Sequence, residues 1–306
     1  MSLIMQKARG FIYKNARPLD FARFRFHFEG GLADDVLNCL IAYQNADGGF
    51  GHALEPDAWN PNSAPLQTWV ATEILREIGH HDVDHPIVQG IIKYLTSGAD
   101  FNGDFWYNTV VTNNDYPHAP WWHTESDSTS HNDYNPTACL AGFLMRFSEQ
   151  GSAAHDLSCR IAKAGYAQLM DAGRENDMHT LACYLRMYEY CRDAGGIQGI
   201  DMDQFAARLG ECVAGTITKD VASWETSYAC KPSQFIESKA DMLYDENREL
   251  VNAECDMIKR TQLDDGSWLI PWGWNGYEEQ WAISKNWWKS NGIIINLRYL
   301  RAMASP

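Results

Sequence analysis

Apolar residues along this chain recur every three or four positions, the spacing of a helix that buries one face. Val36, Leu37 and Leu40 show it in the first such segment. Glycine, asparagine, aspartate and proline separate the segments. The pattern predicts helices over 34–43, 63–79, 84–95, 135–147, 156–170, 177–191, 203–213, 247–260 and 278–303. We therefore expect an all-α protein, with short hairpins at most over 105–111 and 267–272.

No low-complexity linker interrupts this run of helices, so residues 1–306 are predicted to form a single domain. Apolar residues make up 45% of the chain, enough to bury a substantial core. Ser63 stands where a helix N-cap is expected, with Pro65 in the first turn of the helix that follows.

One turn sequence occurs twice at the end of a helical segment. It reads Gln, two residues, Asp-Gly, one residue and an aromatic, at 44–50 and again at 262–268. A degenerate copy lies at 102–106. Recurrence of one supersecondary unit predicts a repeat architecture. Antiparallel helical hairpins with these turns favour a closed ring, whose central funnel is the expected ligand site.

The formal charge is −15, from 25 lysine and arginine residues against 40 aspartate and glutamate residues. Nucleic acid and anionic membrane surfaces would be repelled, so neither is an expected partner. No run of about 18 apolar residues is present, which argues against a membrane-spanning helix. Eight cysteines without a CxxC pair indicate reduced thiols in a cytoplasmic protein.

The first candidate site is the segment 52–57, which follows a glycine-dense turn. Pro56 biases Glu55 toward extended backbone, so Glu55 and Asp57 can face different partners. His52 can complete an acid–base or metal cluster with them. We take Glu55, Asp57 and His52 as candidate catalytic residues; the alternative is that they tie the ends of helical hairpins. The sequence assigns no metal ligand and identifies no cofactor.

The second candidate site is the segment 115–125, a long stretch without periodicity. His118, Trp121, Trp122 and His123 lie within it and are candidate substrate-binding residues. A flat aromatic surface beside polar groups suits a sugar ring, through its C–H faces, or a carbocation, through the ring quadrupole. The alternative is a structural cap over the mouth of the ring.

The third candidate site is an aromatic wall in the segment after the last repeat turn. Trp272, Trp274 and Tyr277 are its candidate substrate-binding residues. Trp268, the aromatic residue of the turn itself, is expected to pack structurally. The expected partner of all these residues is a small molecule, an isoprenoid or a glycan.

The turns at 44–50 and 262–268 resemble the QW-type repeats of terpenoid cyclases and of the β-subunits of protein prenyltransferases. The resemblance implies their (α/α)6 toroid fold, with a central aromatic funnel for an isoprenoid-type ligand. Further phrases are similar to a group of bacterial proteins described as prenyltransferase- or squalene-cyclase-like: GGFGHALEPD at 48–57, PHAPWW at 117–122, NPTA at 135–138 and KPSQF at 231–235. The likeness spans most of the chain. That group has no established reaction, so the resemblance implies chiefly a fold.

The catalytic motifs of the characterised enzymes are missing from this sequence. The nearest match to the DxDD acid of terpene cyclases is the segment 82–85, which is better explained as helix capping before Pro86. No D-x-C pair is present for the zinc of protein prenyltransferases. The acidic pairs 34–35 and 264–265 lack the third aspartate of a DDxxD diphosphate motif.

Three functions are open on this basis. The first is a transferase- or cyclase-like protein that acts on or binds an isoprenoid. The second is a carbohydrate-active enzyme, a glycoside hydrolase or lyase, in which Glu55 or Asp57 would work with a second acid such as Glu125 or Asp127. The third is a non-catalytic scaffold whose funnel or acidic rim receives a partner.

Overall fold

The computed structural model describes residues 2–124 and 133–304. Every regular element within these ranges is a helix, which confirms the all-α prediction. The α-helices are α1 (Leu3–Asn15), α2 (Pro18–Phe28), α3 (Ala33–Leu40), α4 (Pro65–Glu77), α5 (Pro86–Thr96), α6 (Thr137–Phe147), α7 (Ala153–Met170), α8 (Met178–Asp193), α9 (Met202–Thr216), α10 (Tyr244–Arg260) and α11 (Glu278–Ala304). Short 3-10 helices lie at Ile41–Tyr43, Val111–Asp115, Pro120–Trp122, Val221–Glu225 and Pro232–Gln234.

The first two helices, α1 and α2, are absent from the predicted set. In α1 only Ala8, Phe11 and Ile12 are buried, and charged or polar residues interrupt the apolar stripe. The short hairpins expected near 105–111 and 267–272 do not form strands in the described chain. An isolated bridge between Phe101 and Trp106 is the only pairing at the first of these places.

The start of α4 differs from the prediction in one respect. Pro65 is its first residue, but the N-cap is Ala64, which has no side chain that can cap. Ser63 instead donates its hydroxyl to Asp47 Oδ1 at 2.7 Å. The prediction of Ser63 as the N-cap is wrong because the preceding turn competes for the same hydroxyl group.

The chain contacts divide into two compact units, Met1–Leu40 with Thr216–Pro306, and Ile41–Gly215. In the first unit α11 packs against α1, α2 and α10, and α2 packs against α3. In the second unit α6 packs against α4, α5, α7 and α8, and all its residues except Arg146 are buried. The single domain over 1–306 stays a prediction.

In the first copy of the repeated turn, Gln44 ties the turn to α5. Its Nε2 donates to the carbonyl of Gly48 at 2.9 Å and to that of Ile87, the second residue of α5, at 3.0 Å. Gly48 has a φ of +98°, and a Cβ there would lie 2.1 Å from the carbonyl oxygen of Gly90. Only glycine fits, because the backbone angle and the close approach both exclude a side chain.

The last copy of the turn has the same geometry. Gln262 Nε2 donates to the carbonyls of Gly266 and Ile4, both at 3.0 Å, and Ile4 is the second residue of α1. Gly266 has a φ of +94°, and a Cβ there would lie 2.1 Å from the carbonyl oxygen of Lys7. Lys7 follows Ile4 by three residues in α1, just as Gly90 follows Ile87 by three residues in α5. The repeated sequence therefore builds one repeated structural unit.

The degenerate middle copy also buries its aromatic residue, but a different side chain connects this turn to a helix. Trp106 is fully buried, and its Nε1 donates to the carbonyl of Leu95 at 3.2 Å. Arg160 of α7 donates to the Asp104 carboxylate at 2.9 Å and to the carbonyl of Gly103. An arginine from α7 takes the place of the glutamine in the other two copies.

Candidate functional site

Two of the candidate segments lie side by side in the unit formed by 41–215. We call residues 51–60 loop A and residues 111–124 loop B. Ala58 of loop A and His118 of loop B form an antiparallel bridge. The carbonyl of Asp57 accepts a further main-chain hydrogen bond from loop B at 2.8 Å. Two segments that are distant in sequence therefore form one surface.

The candidate acids Glu55 and Asp57 are inside loop A, with exposed fractions of 6% and 2%. Glu55 Oε2 accepts the Asp57 N–H at 2.9 Å, and the Glu55 N–H donates to Gln67 Oε1 of α4 at 2.7 Å. Gln67 Nε2 in turn donates to the carbonyl of Ala58 at 2.8 Å. Gln67 thus holds loop A on α4, and the Glu55 carboxyl braces the loop internally through the N–H of Asp57.

His52, the third candidate catalytic residue, is exposed, and its ring bonds the neighbouring repeat turn. Its Nε2 lies 2.9 Å from Asn45 Oδ1. Because an amide oxygen only accepts, Nε2 carries the proton in this pair. His52 and Ala53 both have a left-handed backbone, with φ angles of +58° and +59°. Two consecutive non-glycine residues in that region are uncommon and turn the chain sharply into loop A.

Two buried asparagines that the sequence pattern misses join the two loops. Asn60 and Asn113 are 1% and 5% exposed. Asn60 Nδ2 donates to Asn113 Oδ1 at 2.9 Å and to Thr112 Oγ1 at 2.8 Å. Asn113 Nδ2 donates to the carbonyl of Trp122 at 3.1 Å. This buried amide pair therefore joins the two loops and holds the backbone of loop B at Trp122.

His118 and His123 form a hydrogen-bonded pair within loop B. His118 Nε2 lies 3.1 Å from His123 Nδ1, and His118 Nδ1 lies 2.6 Å from the carbonyl oxygen of Tyr116. The two ring planes differ by 12°, with centroids 5.3 Å apart. The distance between the ring centroids exceeds the distance from His118 Nε2 to His123 Nδ1 by about the width of one imidazole ring. The two rings therefore meet edge to edge. His118 is buried and His123 is exposed.

Trp121 and Trp122 form the 3-10 helix of loop B with Pro120. The Trp121 side chain is 43% exposed, so much of its indole faces solvent. Trp122 is half-buried, and its indole N–H is buried without a hydrogen-bond partner among the residues described. A buried donor without a partner costs about 1–3 kcal/mol. Within the described ranges, loop B thus holds a buried polar atom that has no hydrogen-bond partner.

The third candidate site belongs to the other unit and is an aromatic cluster. Trp272 meets Tyr228 edge to face at 5.6 Å and Trp288 of α11 edge to face at 5.2 Å. Trp274 is buried, with its ring 5.6 Å from that of Trp281. The Trp272 indole N–H is also buried and has no partner in the described chain. Sequence reasoning missed Tyr228 and Trp288 because distant segments bring them here.

Tyr277, the last candidate residue, precedes α11. It is 43% exposed and has a left-handed backbone, with a φ of +54°. Its carbonyl accepts the N–H of Trp281 at 2.9 Å, which begins the hydrogen-bond ladder of α11.

The described residues contain no group of three or more histidine, cysteine, aspartate or glutamate side chains placed to hold a metal ion. An open cleft of about 440 Å³ lies in the unit that holds α1, lined by α1, residues 264–265 and Asn286; none of the candidate residues is among its lining. Glu125 and Asp127, named above as second acids, lie outside the described residues. Over the same described ranges, no helix has the length and apolar character to span a membrane.

No protein-family model matches the chain, and no curated protein or solved structure matches it at a significant level. The geometry of the two loops and of the aromatic cluster is therefore the main ground for a functional proposal.

Proposed function

We propose that the protein binds a hydroxyl-rich ligand of the carbohydrate class on the surface formed by loops A and B. The observation that carries the proposal is the exposed indole of Trp121, followed in the chain by Trp122, whose indole N–H has no hydrogen-bond partner among the described residues. An indole face stacks on the C–H groups of a sugar ring, and an indole N–H donates to a hydroxyl or ring oxygen. One apolar face with a few convergent polar groups is typical of small-molecule sites.

The surroundings of the two tryptophans support a polar ligand. The buried side chains that hold the loops together are Asn60, Asn113, Glu55 and His118. An isoprenoid chain would need apolar walls, whereas loop B exposes the imidazole of His123 together with the indole of Trp121. Because buried hydrogen bonds fix both loops, little ordering entropy is lost when a ligand binds.

The proposal is binding, and it assigns no catalytic step to Glu55 or Asp57. Both side chains are nearly inaccessible to solvent, and Glu55 Oε2 accepts the backbone N–H of Asp57. A glycoside hydrolase needs two carboxyls that reach opposite sides of the scissile bond. The buried positions support a bracing role for these acids.

A thermal-shift screen tests the proposal. The probes are neutral and acidic oligosaccharides in one set, and farnesyl and geranylgeranyl diphosphate in the other. A ligand present at about 100 times its Kd adds about 2.7 kcal/mol to the free energy of unfolding. We expect a shift with an oligosaccharide that is lost in Trp121→Ala.

The matched control is Tyr277→Ala, which removes an aromatic side chain with the same 43% exposure from the other unit. The oligosaccharide shift should survive in this control. A shift that survives in Trp121→Ala, or no shift with any oligosaccharide, would refute the proposal.

A second candidate function rests on the aromatic cluster of the other unit. Tyr228 is 55% exposed, and its ring, with those of Trp272 and Trp288, forms an edge-to-face wall. Such a wall suits an unsaturated hydrocarbon chain or a carbocation. The resemblance of the turns to QW-type repeats supports the same isoprenoid ligand. A thermal shift with prenyl diphosphates that Trp272→Ala abolishes and Trp121→Ala preserves would favour this function.

The repeated turns also support the proposal that the helices form an (α/α)6 toroid. The turn after α3 is tied to α5, and the turn after α5 is tied to α7. The turn after α10 is tied to α1. If the helix order closes on itself, α1 is the second helix after α10. Each of the three turns is then tied to the second helix after the one that it follows. A crystal structure with another helix order would contradict the toroid.

A further inference from the structure

The hydrogen bonds of the histidine pair in loop B determine where its protons lie. The Tyr116 carbonyl can only accept, so His118 Nδ1, 2.6 Å away, must carry a proton. When the His118 ring is neutral, its Nε2 therefore has a lone pair and can only accept.

The next bond passes this constraint to His123. Its Nδ1 lies 3.1 Å from His118 Nε2, so Nδ1 must be the donor. A neutral imidazole has one N–H, which leaves the lone pair of His123 on Nε2. His123 is exposed, whereas His118 is buried. Among the described residues, the chain of bonds from Tyr116 through His118 thus ends at His123, an exposed residue whose Nε2 is an acceptor.

We propose that His123 Nε2 is the hydrogen-bond acceptor for a ligand hydroxyl, and that His118 is a positioning residue that holds His123 in the Nδ1–H tautomer. The identity of the ligand rests on the proposed function, but the tautomer does not. His123 is exposed, so its acceptor nitrogen is offered from the same loop as the exposed indole of Trp121. A ligand hydroxyl can donate to this nitrogen, whereas a hydrocarbon cannot.

The test is a long-range ¹H–¹⁵N spectrum of the full chain labelled with ¹⁵N-histidine. It is recorded at about pH 8, above the ordinary pKa range of free imidazole. His81 is exposed and serves as the internal reference. His118→Gln and His123→Gln assign the two signals. We expect both rings of the wild type to show the Nδ1–H pattern. A His123 spectrum of the Nε2–H form, or one averaged like that of His81, would overturn the inference.

Two variants separate positioning from general structure. His118→Leu removes the acceptor, so His123 should shift toward the Nε2–H form. His118→Gln offers an amide oxygen to His123 Nδ1 and should keep the wild-type tautomer. The same tautomer in His118→Leu as in the wild type would overturn the positioning role.

Diethyl pyrocarbonate reports the accessible lone pair, because an unprotonated ring nitrogen attacks its carbonyl carbon and ethyl carbonate leaves. Relative to His81, carbethoxylation of His123 should slow several-fold in His118→Leu and stay unchanged in His118→Gln. An unchanged rate in His118→Leu would count against the inference. Nδ1–H rings in the wild type support the inference even if no oligosaccharide binds, a result that refutes the proposed function alone.

Discussion

Gly90→Ala tests the structure of the repeated turn against simple helix propensity. Gly90 lies inside α5, where alanine should stabilise a helix by about 0.8–1.0 kcal/mol. A Cβ at this position, however, would lie 2.3 Å from Gln44 Nε2. Ordinary contact requires about 3.5 Å, so the amide must retreat by more than about 1 Å. Its hydrogen bonds of 2.9 and 3.0 Å cannot survive that movement.

The magnitude follows from the two lost bonds. Each contributes about 0.5–1.5 kcal/mol, so about 1–3 kcal/mol is lost against the gain in propensity. Gly90→Ala alone should therefore be neutral to destabilising by about 2 kcal/mol. In a Gln44→Ala background the nearest remaining atom is Gly48 Cα at 3.4 Å, an ordinary contact. There Gly90→Ala should stabilise, and the coupling between the two sites should be about 1–3 kcal/mol.

Urea unfolding of the wild type, both single variants and the double variant measures this coupling, with the midpoints compared at constant m-value. Gly10→Ala is the control, since Gly10 lies inside α1 with no atom within 4 Å of its Cβ. It should stabilise in both backgrounds. If Gly90→Ala also stabilises in both, or if the two changes add without coupling, the account of the turn is wrong.

Two further predictions concern the unit that contains α1 and α10. Gly266→Ala should destabilise by several times the cost of Gly276→Ala, because both have positive φ but only the first places a Cβ 2.1 Å from a backbone oxygen; equal urea midpoints would contradict this. Burial raises the pKa of Glu254, which accepts the N–H and O–H of Ser233 at 2.8 and 2.6 Å. The folded protein then binds this proton more readily than the unfolded chain, so the contribution of Glu254 to stability falls as pH rises above about 4.3. Glu254→Gln keeps an acceptor for Ser233 and should gain stability relative to the wild type as the pH rises above about 4.3; a wild type that gains stability relative to Glu254→Gln over this rise would contradict the prediction.

The repeated turns are the part of the fold that the sequence predicts best, since their requirements are local. Gln44 and Gln262 each reach a carbonyl four residues away within their own turn. The glycines at 48 and 266 are required by backbone angle. What sequence spacing cannot reveal is the second acceptor, because it lies on a helix that is distant in the chain. The same limit explains why α1, with a broken apolar stripe, is missed.

The sequence predicts the exposed residues of the candidate site, but it does not predict the buried residues that hold the two loops together. Unusual density of tryptophan and histidine marks Trp121 and His123 without any structure. Asn60 and Asn113, by contrast, are ordinary loop residues until the fold buries them against each other. The catalytic role of Glu55 stays a prediction. The hydrogen bond from the Asp57 N–H to its carboxyl supports a role in bracing loop A. A pattern of residue types cannot distinguish these roles, because both need a carboxylate in a loop.

The most direct test of the central proposal is a ¹H–¹⁵N spectrum of the twelve tryptophan indole groups during titration with an oligosaccharide from the thermal-shift screen. We expect that the signals of Trp121 and Trp122 move with the sugar, that the exposed Trp121 moves furthest because the sugar stacks on its ring, and that Trp272 stays in place. Movement of Trp272 and Trp274 with the loop B signals unchanged, or no movement at all, would contradict the proposal.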